Sequence, residues 1–232
     1  MYCPASSRSV FRVVGLLVLP ILALATACGA PPPEEPKPRP LPEDAQTLSP
    51  GTYRSEEFQP SFSFRVGKGW SSTPWGASDV LEITRGQTAG LSFVNVQEVY
   101  KPTRTGEPNV VDAPEDLVGW LQQHPYLRTS EPEPVTVGGV EGVQFDVVLG
   151  DLPQNYIPTC TSIVGTPNCV DLFRLSTGGP ILVLEGDKVG GIVLEDVGGE
   201  TVAIGVYSPA SEFGEHAPEA QKVIDSVEWT GS

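Results

Sequence analysis

Histidine is almost missing from this chain: His124 and His216 are the only two among 232 residues. A nucleophilic relay that needs an imidazole base has only those two to recruit, and no Gly-x-Ser-x-Gly turn accompanies them. Each histidine is expected at a surface or helix-capping position. Basic residues are scarce too, 14 against 29 acidic, for a formal net charge of −15. Such a surface repels phosphate backbones and anionic headgroups, which excludes nucleic acid as a partner. Gly67-Lys-Gly69 and Gly190-Gly191 lack the Walker or dinucleotide context that cradles a phosphate. No loop has the alternating Asp-x-Asp-x-Asp-Gly spacing of a calcium site. The N-terminal apolar run from Val13 to Ala27 is broken by Pro20 and falls short of the roughly 20 residues a membrane-spanning helix needs. No catalytic residue, cofactor or metal centre is therefore expected.

What is present begins at the N-terminus. Arg8 and Arg12 precede an apolar segment, and small residues follow it, which makes an export signal. The stretch Leu22-Ala-Leu-Ala-Thr-Ala-Cys28-Gly resembles the bacterial lipoprotein signal, in which the cysteine after the cut is lipidated and becomes the new N-terminus. The match is offset by one: Ala25 stands three places before the cysteine and Leu24 one further back. Ala25-Thr26-Ala27 also satisfies ordinary secretory cleavage, which would leave Cys28 as a free thiol. The resemblance implies a signal over 1–27, a membrane partner reached through acyl chains on Cys28, and a location on the outer side of the cell membrane. Two or more chains anchor stably where one binds marginally. Loss of Arg8 and Arg12 leaves 12 basic against 29 acidic residues, a charge of −17.

From Cys28 to Pro50 the chain is dense in proline, as in Pro31-Pro-Pro-Glu-Glu-Pro-Lys-Pro-Arg-Pro40. Such composition favours extended polyproline II and provides no apolar periodicity to bury. It reads as a tether, ahead of a single domain over 51–232, a length that supports a well-developed core. Within that domain Cys160 and Cys169 are the only cysteines and bracket a loop containing Gly165 and Pro167. In an oxidising compartment they read as a disulfide closing a short loop.

The domain reads as strand-rich. Phe62, Phe64 and Val66 alternate with polar residues before the turn Gly67-Lys-Gly-Trp70. Strands are expected at 80–84, 91–100, 143–149 and, as an antiparallel meander, at 170–175, 181–185, 189–197 and 201–207. Gly138-Gly139 and Gly198-Gly199 supply tight hairpin turns. Asp112-Ala-Pro-Glu115 has the signature of a helix start running to about Gln123, and a second helix is expected from about Pro218. Strands with a few non-alternating helices predict an α+β fold built on an antiparallel sheet.

Phe62-Ser-Phe-Arg-Val-Gly-Lys-Gly-Trp70, the hairpin before Phe145 and the closing Val223-Ile-Asp-Ser-Val-Glu-Trp229 together resemble the PsbP-like (Mog/PsbP/LpqN) α/β sandwich. That resemblance implies an accessory or binding protein attached to a larger assembly or to the envelope, and carries no site residue with it. The carboxylates Asp187, Glu195, Asp196 and Glu200 fall around hairpin ends where several could converge on a cation, but solvated turn positions are the expected reading. Trp70, Trp75 and Arg104, the last in the polar segment 101–109, form the candidate ligand surface. The expected function is a lipid-anchored extracytoplasmic binding or accessory protein whose partner is an envelope protein or a small ligand. A cell-envelope hydrolase working through carboxylates is the alternative.

Overall fold

The computed structural model describes residues 37–75, 77–102, 109–154, 156, 160 and 168–230. The signal, Cys28, the first part of the tether and Arg104 lie outside the described residues. In chain order the elements are β1 (Arg39–Pro40), β2 (Gly51–Arg54), β3 (Phe62–Val66), β4 (Trp70–Thr73), β5 (Val80–Arg85) and β6 (Ala89–Asn95). They continue with β7 (Glu98–Tyr100), β8 (Val110–Asp112), α1 (Leu117–Gln122), β9 (Leu127–Thr129), β10 (Glu133–Val137) and β11 (Val140–Leu149). The last are β12 (Cys169–Arg174), β13 (Pro180–Leu184), β14 (Asp187–Val197), β15 (Glu200–Pro209), α2 (Phe213–Ile224) and β16 (Glu228–Trp229).

An eight-stranded sheet ordered β10-β11-β14-β15-β6-β5-β4, with β9 also paired to β11, forms the centre. Every pairing within it is antiparallel. Alternation along β6 divides its two faces: Leu91 and Phe93 enter one core, Val94 the other. The first core lies under the four-stranded sheet β1-β2-β3-β16 and helix α2. There Phe62 packs 4.5 Å from Phe93 and 4.9 Å from Trp229, ring centre to ring centre. The second core lies under the sheet β13-β12-β7-β8, the cover sheet below, and helix α1 through Leu117 and Leu121. With sheets on both sides and two short helices among the described residues, the fold is a mainly-β sandwich; antiparallel strands dominate it more than the α+β reading anticipates.

The folded unit starts before residue 51. Arg39–Pro40 pairs in parallel with Tyr53–Arg54, Thr47 bridges Ser71, and Leu48 is 2% exposed within the first core. An extended proline-rich segment adds to a sheet edge without needing its own ladder on both sides, and Leu41 and Leu48 give it apolar anchors. Arg39 also lies over the Tyr53 ring at 4.5 Å.

Other boundaries shift for local reasons. Helix α1 is capped by Asp116, whose Oδ1 accepts from the Gly119 amide at 2.6 Å, while Asp112 ends β8. Helix α2 begins at Phe213 and runs through Pro218, because Glu212 already closes its first turn by accepting from the Glu215 and His216 amides. The run 91–100 breaks in two: β6 belongs to the central sheet and β7 to the cover. The expected meander is likewise split, since β12 and β13 pair in the cover sheet and β14 and β15 in the centre. The crossing occurs at Gly186, at φ 89°. Gly138 and Gly139, at φ 57° and 85°, occupy the left-handed positions that a two-residue hairpin between Val137 and Val140 requires.

Candidate functional site

Residues directly opposite each other across antiparallel strands share a face. One such row of the central sheet runs Phe145, Gly191, Gly205, Ser92, Glu82. Its middle therefore carries two glycines and a serine, and nothing large rises toward the cover sheet. Leu172 and Phe173 of β12 and Ile181 and Val183 of β13 roof the gap without filling it, which leaves a cavity of about 80 Å³. For scale, an engineered apolar cavity of roughly 150 Å³ stays dry and accepts benzene. The half-buried Ile181, Leu182, Val189 and Tyr207 mark the side on which solvent reaches it.

The space is kept open by composition rather than by strain. A Cβ placed on Gly191 meets Phe145 O at 3.5 Å and Val147 Cγ2 at 3.7 Å, ordinary contact distances. Gly in a strand interior weakens the strand, so its presence here marks a place where space or close approach matters.

The polar end of the chamber is built in the adjacent row, where Tyr207 stands opposite Gly90. The Tyr207 ring lies across Gly90, and a side chain on that glycine would collide with its hydroxyl. In this position Tyr207 Oη donates to Glu82 Oε1, while Trp75 Nε1 donates to Glu82 Oε2 at 2.8 Å. Burial, and next the Glu82 carboxylate, push the Tyr207 phenol far above its ordinary range, so it stays neutral. Ser92 Oγ donates to Gly205 O at 3.4 Å.

The structure separates the residues of the expected ligand surface. Trp70 is 1% exposed, buried in the first core on the opposite face of the sheet, with its ring 5.6 Å from His216. A bulky indole delivered by the Gly67–Gly69 turn fills that core instead of lining a surface. Trp75 is half-buried and lines a groove of about 270 Å³ with Leu41, Phe58 and Glu82. Arg104 lies outside the described residues. The carboxylates Glu43, Glu56 and Glu57 around the groove are exposed.

Both histidines are buried, at 4% exposure each, contrary to the surface or capping expectation. His216 Nε2 sits 3.1 Å from Gly90 O, and burial lowers its pKa. His124 Nδ1 accepts from the Tyr126 amide at 3.3 Å, and its Nε2 has no hydrogen-bond partner among the described residues. The rings of Trp120 and Tyr126 flank it at 5.2 and 5.8 Å, and burial pushes its pKa down to about 4.

The four hairpin carboxylates do not converge. Asp187 begins β14 opposite Pro209, whereas Asp196 and Glu200 stand at that hairpin's far end. There Asp196 accepts from the Gly199 amide at 3.0 Å, and Glu200 accepts from Gln97 Nε2 at 2.9 Å. Among the described residues no three His, Cys, Asp or Glu side chains gather as a metal site. Cys160 and Cys169 are joined, with Cα atoms 6.3 Å apart. Cys169 is the first residue of β12, so the bond ties the roof of the chamber to the connection that precedes it.

In the sequence Gly190-Gly191 lies within the expected strand 189–197 and lacks the context of a phosphate loop. The signal for the chamber was a glycine inside each of two apolar strands, and it becomes specific once register sets Gly191 beside Gly205. No protein-family model matches the chain, and no curated protein matches it in sequence.

Proposed function

We propose that this chain is a lipid-anchored binding protein of the bacterial cell envelope, held through acyl chains on Cys28 and facing outward. Its folded unit receives a small, largely apolar ligand in the chamber between the central and cover sheets. The observation that carries this reading is the floor of that chamber: Gly191 and Gly205 lie side by side in two central strands, and a methyl on Gly191 would make only ordinary contacts there. A sheet selected for stability alone gains from alanine at a position like Gly191. Export through the N-terminal signal agrees with a disulfide between Cys160 and Cys169, which persists in oxidising compartments.

The fold is read as a PsbP-like sandwich, on the β3–β4 opening, the β10–β11 hairpin and the α2–β16 close. Binding is favoured over carboxylate-based hydrolysis by Glu82. This is the half-buried carboxylate beside Trp75, and both its oxygens already accept from Trp75 and Tyr207. That is the arrangement of a brace, since a general acid or base needs an oxygen free to reach substrate.

The test has two readouts on the full chain expressed in a bacterium. The mass of the mature N-terminus shows whether it starts at Cys28 and carries acyl chains, with Cys28→Ser as the control that releases the protein from the membrane fraction. Native mass spectrometry of the membrane-purified protein shows whether a small molecule leaves with it and whether Gly191→Ala abolishes that mass. An unlipidated mature chain overturns the anchor, and an identical mass for both variants overturns the ligand chamber.

A further inference from the structure

The groove beside Trp75 shares no lining residue with the chamber and is built by three separate segments. One wall is Pro40, Leu41 and Glu43, on the docked segment that pairs with β2 at Arg39–Pro40 and meets β4 at the Thr47–Ser71 bridge. The connection between β2 and β3 contributes Ser55, Glu56, Glu57 and Phe58. Trp75, Leu81 and Glu82 come from β5 and the residues before it. Phe58 and Leu81, 1% and 7% exposed, give the groove an apolar floor.

The charge around this floor has one sign. Glu43, Glu56, Glu57 and Glu82 line the space, and among the described residues no Lys, Arg or His does. Because the carboxylates come from three segments around the groove, the sign holds whichever way any one of them turns. Glu82 is occupied by Trp75 and Tyr207, and Glu56 pairs with Arg54. Glu43 and Glu57 have no ion-pair partner among the described residues. The side-chain donors of the wall are already placed: Trp75 Nε1 on Glu82, Ser55 Oγ on Phe62 O and Ser72 Oγ on Asp44 O. Pro40, Pro42 and Pro74 add no backbone N–H. A concave surface of one sign over low-dielectric walls focuses its field on whatever enters. An anion is repelled there, and a neutral body gains only the apolar floor. A cation with an apolar body gains from both.

Independently of the chamber reading, we infer that this groove is a second binding site, for a small organic cation: a primary ammonium on a compact apolar body. The floor takes the body by burying its apolar surface, and the carboxylates take the charge. At about 270 Å³ the groove has the size of a single small molecule, close to the lower end of the about 300–1,000 Å³ usual for such sites. A cavity of roughly 150 Å³ holds benzene, so one ring with a short ammonium arm fits here. Glu43 and Glu57, the two carboxylates without a partner, set the preference for positive charge.

Three probes on one frame test this: 2-phenylethylamine, 2-phenylethanol and 3-phenylpropanoate. Each is titrated calorimetrically into the full chain in phosphatidylcholine nanodiscs, with empty nanodiscs as the blank. The amine should bind roughly tenfold tighter than the alcohol, with the carboxylate weakest, and salt at about 0.5 M should close most of the gap between amine and alcohol. Glu43→Gln combined with Glu57→Gln should weaken the amine roughly fivefold and leave the alcohol unchanged. Both side chains are exposed, so the fold is not at stake. Glu131→Gln combined with Glu133→Gln removes the same charge at β10, across the central sheet from β4, and should leave the amine unchanged. Equal affinity for amine and alcohol, no amine binding, or equal losses in the two double variants overturns the site. Loss of amine binding in Gly191→Ala would put the amine in the chamber and also overturn it, whereas unchanged binding in that variant supports the groove whatever becomes of the chamber. A blocked Ala-Lys-Ala peptide binding more tightly than the amine would overturn the small-molecule assignment in favour of a protein partner.

Discussion

Replacing Gly191 by alanine separates stability from function in one step. The added methyl would lie 3.5 Å from Phe145 O, 3.6 Å from Phe145 Cε2 and 3.7 Å from Val147 Cγ2, with no clash and no left-handed backbone to strain. Glycine within a strand costs roughly 0.5–1 kcal/mol relative to alanine. Filling a methyl-sized part of an apolar void contributes about another 1 kcal/mol. Gly191→Ala should therefore stabilise the folded unit by about 1–2 kcal/mol. At about 2–4 °C per kcal/mol for a unit of this size, that raises the melting temperature by several degrees. The same methyl stands in the chamber, so ligand affinity should fall at least tenfold. Circular-dichroism melting and the ligand retained in native mass spectrometry read both effects on the same preparation. Lower or unchanged stability refutes the packing argument, and higher stability with intact binding refutes the chamber as the binding place.

Three further expectations follow from buried groups. Leu48→Ala should destabilise by about 2–5 kcal/mol in urea unfolding, because Leu48 is 2% exposed in the first core; a change under 0.5 kcal/mol would mean that the segment before residue 51 is not docked. Replacing Cys160 and Cys169 together by serine should cost roughly 2–3 kcal/mol from reopening a ten-residue loop, read as a lower urea midpoint in non-reducing buffer, and reductant should lower the wild-type midpoint to match. The third concerns His124, whose folded pKa of about 4 lies below its unfolded value of 6.5, so the unfolded chain binds the proton more readily. Stability contributed by the neutral imidazole is intact above pH 6.5 and is lost as pH falls toward 4, about 3 kcal/mol in all. His124→Phe should remove that part of the acid dependence, and an unchanged difference between wild type and variant from pH 7 to pH 4 contradicts the burial account.

The parts of this fold legible in the sequence are those governed by local rules. Alternation at Phe62, Phe64 and Val66 and paired glycines at 138–139 and 198–199 encode strand and turn within a few residues, and the structure has them in place. Sheet membership is not local. Whether β13 pairs on into β14 or crosses to another sheet depends on what each strand's two faces bury, and so the expected meander was split. The start of α1 shifts because Asp112 and Asp116 both precede an apolar run, and it is Asp116 that accepts from the Gly119 amide while Asp112 ends β8. The proline-rich segment 39–50 reads as a spacer because proline dominates its composition, yet pairing with β2 and the apolar anchors Leu41 and Leu48 hold it on the domain.

For the site, aromatic residues drew attention where glycines should have. A tryptophan advertises binding surface and core equally, and Trp70 went to the core. Gly191 and Gly205 are fourteen positions apart in sequence and only register makes them neighbours. The same holds for Glu82 of β5 and Tyr207 of β15, whose hydrogen bond joins two strands far apart in sequence, with Trp75, just beyond β4, bonded to the other Glu82 oxygen.

The most direct test of the account is a crystal of the protein under xenon pressure, since xenon enters accessible apolar space of this kind. The account predicts xenon between Gly191 and Gly205 on one side and Phe173 and Val183 on the other, and its loss from that position in Gly191→Ala. Density there for side chains or ordered water instead of xenon, or xenon bound equally in both proteins, would contradict it.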